Sequence, residues 1–92
     1  FDLCFINGAG IEADFGFSNG TDETATFQRT VIQNSRKKIL MLPNNKIGVK
    51  AFIKVCDTNS FDTLITDWEA IEYELMKIEE KGLEVVVVEE RN

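Results

Sequence analysis

The chain has 92 residues, 43% of them hydrophobic and 28% charged, which is room for one globular domain and too apolar for a disordered segment. Its net charge of −6 opposes the phosphate backbone that supplies most nucleic-acid affinity, and the one basic cluster, Arg36-Lys37-Lys38, is too short for a binding stripe. No apolar stretch is long enough to span a bilayer and no signal-peptide pattern is present, so no membrane partner and a cytoplasmic location are expected.

Phe1 to Asn7 is a short apolar run ending in a turn residue and reads as a strand. Because the chain opens on Phe1 inside that run, the sequence reads as a cut within a larger protein. Gly8 to Gly20 holds four of the six glycines and reads as a loop with a short extended stretch at Phe15 to Ser18. Thr21 or Asp22 can cap a helix running to Lys37, with Asp22 and Glu23 at its positive end and Arg36 and Lys37 at its negative end. Phe27, Val31 and Ser35 recur at helical spacing, with Ile32 beside them.

Lys38 to Leu42 is a second strand, stopped by Pro43 and the turn residues Asn44 and Asn45. Ala51 to Cys56 is a further β-like run without an evident place in a sheet, and Phe61 to Thr66 is another strand. Thr66 and Glu69 fit a capping box for a helix whose core stripe is Trp68, Ile71, Leu75 and Ile78. Gly82 ends that helix, with Leu83 supplying the accompanying apolar contact. Leu83 to Glu89 contains four consecutive valines, a pattern expected of a strand buried on both faces. The element order predicts an α/β fold: a Rossmann-like open, mostly parallel sheet with two main helices and right-handed crossovers. Two helices cannot cover both faces of such a sheet, so one face is expected to meet a missing half or a partner chain.

Cys4 and Cys56 lie in strand-like surroundings and read as reduced core residues; no zinc-like spacing exists, and no metal or cofactor is expected. The absence of histidine removes the usual general base and the usual activator of a Ser or Cys nucleophile. Gly8-Ala9-Gly10 follows a strand as a dinucleotide fingerprint would, but Ala13 stands where its third glycine belongs and Glu12 and Asp14 add negative charge. A plain turn is the simpler reading, and a ligand-lining role stays open because open α/β sheets bind ligands at the carboxyl ends of their strands. Lys46 follows the second strand at the same sheet edge, where it could hold a phosphate or carboxylate as a point charge. The acidic run Glu69, Glu72, Glu74, Glu79 and Glu80 reads as a solvated helix face.

The ordered set Phe1-Asp2 through Ile11, Gly16-Phe17-Ser18, Ala25 with Arg29 and Ile32, Asn44 to Gly48, and Thr63-Leu64-Ile65-Thr66-Asp67 resembles the C-terminal sensor domain of DeoR-family bacterial transcription regulators over nearly the whole chain. That resemblance implies a fold similar to the sugar-phosphate isomerase and CoA-transferase group, and a repressor switched by a phosphorylated sugar. It also implies ligand-binding positions at Gly8, Ala9, Gly10, Gln28 and Lys46. The chain departs from the family pattern at Thr24, Gln28 and Pro43, where the family carries Glu, Lys and Asp. Residues 1–92 are then one partial effector-sensing domain, and DNA is reached only through a winged helix-turn-helix that lies outside this chain. A homo-oligomer is expected. Two other readings compete: a fragment of a sugar-phosphate isomerase-like enzyme, with Glu12 or Glu23 and Lys46 as its chemical groups, and a purely structural dimerisation module.

Overall fold

A computed structural model describes residues 1–89. Two sheets and two helices share one core. The larger sheet is parallel throughout, in the order β1 (Leu3–Ile6), β4 (Lys37–Met41), β6 (Thr63–Asp67), β7 (Glu84–Val88). The smaller sheet is antiparallel, in the order β2 (Gly10–Glu12), β3 (Gly16–Asn19), β5 (Ile53–Cys56). Helix α1 (Asp22–Gln33) links β3 to β4, and α2 (Glu72–Glu80) links β6 to β7.

The α/β class and the mostly parallel sheet agree with the sequence reading; the segment 8–20 agrees only in part. The extended stretch expected at Phe15 to Ser18 is β3, but the residues before it form β2 and pair with it as a hairpin rather than a loop. Each strand is too short and glycine-rich for a period-two pattern to register. The Glu12 carboxylate organises the turn by accepting from the amides of Asp14 (3.0 Å) and Phe15 (2.7 Å). The β-like run near Ala51 finds its place as β5, whose outer neighbour is β3 and not the parallel sheet.

Thr21 caps α1, its hydroxyl accepting from the Thr24 amide at 3.2 Å. The helix stops at Gln33 and not at Lys37. Asn34 Nδ2 and Ser35 Oγ bond the carbonyls of Thr30 and Val31, competing with further helical turns. The amides of Arg36 and Lys37 pair instead with the carbonyls of Phe1 and Asp2. The buried stripe is Ala25, Gln28 and Ile32, whereas Phe27 is 69% exposed. A buried glutamine with both ends of its amide bonded displaces the apolar stripe that periodicity suggests.

The Thr66 capping box does not form. Thr66 remains in β6, paired with Val87, and Asp67 closes the following turn by accepting from the Glu69 amide at 3.0 Å. Helix α2 therefore begins at Glu72, and only Leu75 and Ile78 of the expected stripe are buried; Trp68 and Ile71 are exposed. Gly82, at φ +106°, terminates the helix in the left-handed region, and Leu83 is buried behind it.

Cys4, Ile6, Leu40 and Leu64 point from the parallel sheet into the core with Ile11, Phe17, Ile32, Phe61, Leu75 and Ile78. Each such side chain contributes roughly 1.5–3 kcal/mol of burial. The rings of Phe17 and Phe61 meet edge to face at 5.4 Å, joining the two sheets. The opposite sheet face, carrying Leu3, Phe5, Met41, Val86 and Val88, is open to solvent, as the shortage of helices predicts. The valine run is a correction: β7 is an edge strand of the described sheet, and Val86, Val87 and Val88 are 39%, 41% and 56% exposed.

Candidate functional site

All four strands of the larger sheet run in one direction, so their carboxyl ends open together. A cavity of about 410 Å³ lies there, lined by Asn7 after β1, Met41, Leu42 and Pro43 at the end of β4, Ile65 to Asp67 in β6, and Val88 in β7. Parallel pairing puts Met41 beside Ile65 and Asp67 beside Val88, which makes the floor largely apolar and its rim polar. Among the described residues no group of three or more metal-ligating side chains converges.

Asp67 fixes the rim. One carboxylate oxygen accepts from the Asn44 amide at 2.8 Å and from Asn44 Nδ2 at 3.3 Å; the other accepts from the Glu69 amide at 3.0 Å. The Asn44 amide in particular holds the Asp67 carboxyl below its ordinary range, with the Glu69 amide adding to it. Both oxygens are occupied by amides, so Asp67 acts on the shape of the 3₁₀ turn Asn44–Lys46 and not as a free base. The Thr66 hydroxyl at the cavity is buried and has no hydrogen-bond partner among the described residues.

The five residues the sequence nominated gather around the end of β1 and the turn after β4. Gln28 is buried on α1; its Nε2 donates to the Asn7 carbonyl at 2.7 Å and its Oε1 accepts from Asn19 Nδ2 at 2.7 Å. Gly8 lies under the Phe17 ring, where a Cβ would sit 2.4 Å from Cζ. The Ala9 amide bonds the Ser18 carbonyl at 3.2 Å. Gly10 opens β2 with its Cα against the Val49 carbonyl, and a Cβ there would lie 2.4 Å from that oxygen. Lys46 ends the 3₁₀ turn, half-buried, and forms no ion pair among the described residues. Ile47 next to it bridges Ile11, which brings the Lys46 turn against the Gly8–Gly10 segment.

Of these five, none lines the 410 Å³ cavity itself; Asn7, beside Gly8 and bonded to Gln28, and Pro43, whose carbonyl accepts from the Lys46 amide, do. Sequence reasoning missed Asn7 and Asp67. The signal for Asp67 was present in its position at the end of a strand in a parallel sheet. Glu12, drafted for chemistry in the enzyme reading, is buried on the hairpin and bonded to Phe15, Asp14 and Lys77, which together hold its carboxyl below the ordinary 4.5.

The protein-family model of the DeoR C terminal sensor domain matches residues 1–68. The chain is also similar to the HTH-type transcriptional regulator GlpR of Haloferax volcanii, with 23% identity over 86 residues. That alignment covers 94% of this chain and 34% of the relative, so the chain spans about a third of the length of the regulator it matches. The relative is archaeal, whereas the sequence resemblance pointed to bacterial regulators.

Proposed function

Because the chain belongs to the DeoR C terminal sensor domain family, we propose that it is the effector-sensing part of a longer transcription regulator and that its effector is a phosphorylated sugar. The matched family is one of sensor domains and not of enzymes. DNA binding, on this reading, belongs to a winged helix-turn-helix elsewhere in the polypeptide, in keeping with the net charge of −6 here.

The observation that carries the ligand proposal is the juxtaposition at the strand ends. An apolar-floored cavity suits the carbon face of a sugar, and Asn7 and the Asp67-held turn offer polar groups at its rim. Lys46, free of carboxylate partners among the described residues, supplies the positive charge a phosphate requires. Gly8, Ala9, Gly10 and Gln28 set the path of the backbone that presents Asn7. The experiment is a thermal-shift series on the intact regulator with matched pairs of free and phosphorylated sugars. A saturating phosphorylated effector at a hundredfold excess over Kd adds about 2.7 kcal/mol. No stabilisation by any sugar phosphate would remove the ligand from the account while leaving the family assignment in place.

A further inference from the structure

A second concave surface lies at the far edge of the sheet, between α2 and β7. This groove, about 750 Å³, is lined by Ile71, Tyr73, Leu75 and Met76 on one wall and by Val85 and Val87 on the other, with Glu72 and Glu79 at its rim. Ile71, Tyr73, Met76 and Val87 are 63%, 64%, 54% and 41% exposed, which is a concentration of apolar surface a monomer rarely leaves open. One side of β7 pairs with β6; on the other side no strand lies among the described residues. Alternate amides and carbonyls of a valine run there point outward, and neither Lys nor Pro guards them.

The charges say what fits. Helix α2 carries two lysines within or just beyond its last turns; both pair with carboxylates other than Glu72 and Glu79, and Lys77 also lies 5.4 Å over the Tyr73 ring. Lys77 sits 3.5 Å from Glu12 and 3.8 Å from Glu74, and Lys81 sits 3.2 Å from Asp14 on the hairpin side. Among the described residues Glu72 and Glu79 have no ion-pair partner at the rim, and Glu84 and Glu89 flank the open strand. A second copy pairing antiparallel through the same strand would bring Glu84 of one chain toward Glu89 of the other. We propose that the α2–β7 groove is a docking site for an extended, alternately apolar polypeptide segment flanked by Lys or Arg, which adds to β7 as a further strand. Its apolar side chains enter the groove over Val85 and Val87, its backbone satisfies the outward groups of β7, and its flanking cations meet Glu72 and Glu79. This inference does not rest on the proposed sugar-phosphate site, which meets β7 only at Val88.

The chain carries its own reporter. Trp68 is the one tryptophan, 51% exposed, and its amide donates to the Val88 carbonyl at 3.1 Å. The probe is a synthetic peptide with a Thr-Val-Ile-Val-Thr centre between Lys-Arg pairs, titrated into the intact chain while Trp68 emission is followed. Amide NMR shifts locate the contact. The expected result is saturable binding, shifts centred on Val85 to Val88, and affinity about tenfold weaker after the joint exchange Glu72→Lys and Glu79→Lys. The same exchange restores binding to a peptide with Glu flanks. Both positions are exposed, and circular dichroism confirms that the exchange leaves the fold intact. Three results overturn the proposal: no saturable binding, equal affinity for Lys-flanked and Glu-flanked peptides, or a concentration-dependent dimer abolished by Val87→Lys, which would assign the groove to a second copy.

Discussion

Gln28 Nε2 donates to the Asn7 carbonyl across 2.7 Å, tying the middle of α1 to the residue that follows β1. That bond positions the strand end where the cavity begins, and it explains how a polar residue occupies the buried stripe of the helix. Replacing Gln28 by Ala leaves the Asn7 carbonyl and Asn19 Nδ2 without their partner. A loss of about 1–3 kcal/mol is expected in urea unfolding, larger than for Gln33→Ala on the exposed side of the same helix. Equal losses at the two positions would contradict this role.

Glycines near the site separate into those that close contacts require and those that nothing constrains. Gly10→Ala places a methyl 2.4 Å from the Val49 carbonyl, a backbone atom that cannot swing aside. Destabilisation by about 1–3 kcal/mol is expected. At Gly20 nothing lies within 4 Å of an added Cβ, and Gly20→Ala is expected to be neutral or stabilising by roughly 0.4–1 kcal/mol. Thermal melts separate the two variants if the packing is as described, with Gly10→Ala melting lower and Gly20→Ala unchanged or higher.

Much of the fold was legible in the sequence, and its failures share a cause. Strands β1, β4 and β6 and the start of α1 follow from apolar runs and a threonine cap. Where the reading failed, a polar side chain outcompeted periodicity. Glu12 folds the hairpin turn, Gln28 takes a core position, and Asp67 rather than Thr66 organises the entry to α2. The edge position of β7 was not legible, because a continuous β-branched run does not distinguish a covered strand from one awaiting cover. The nominated residues Gly8, Ala9, Gly10, Gln28 and Lys46 lie around the end of β1 and the turn after β4, outside the cavity wall, which Asn7 and Pro43 reach from beside them.

Acid should weaken the hairpin through Glu12. The Phe15 amide, then that of Asp14, and Lys77 hold its folded carboxyl below the ordinary 4.5. A group depressed in the folded state contributes stability above its unfolded value and loses it as pH falls through the folded one. Glu12→Gln should therefore flatten the fall in melting temperature below about pH 4.5 while lowering stability at neutral pH. An unchanged acid limb would show that another carboxylate governs it.

Arg29 clamps α1 to the smaller sheet, Nε donating to the Val55 carbonyl at 2.9 Å and Nη2 to the Lys54 carbonyl at 2.6 Å. Arg29→Lys keeps the charge but cannot span both carbonyls in a planar fork. A loss of roughly 1–2 kcal/mol is expected, with hydrogen exchange rising in β5 before it rises in β4. Uniform exchange across both strands would argue against a local clamp.

The most direct test of the sensing account is calorimetric titration of the intact regulator with phosphorylated sugars, in parallel with Lys46→Ala. The expected result is saturable binding of at least one sugar phosphate, weak or absent binding of the corresponding free sugar, and a marked loss of affinity in the Lys46 variant with its melting temperature unchanged. Binding that ignores the phosphate, or that survives Lys46→Ala undiminished, would contradict the assignment of the strand-end cavity as the effector site.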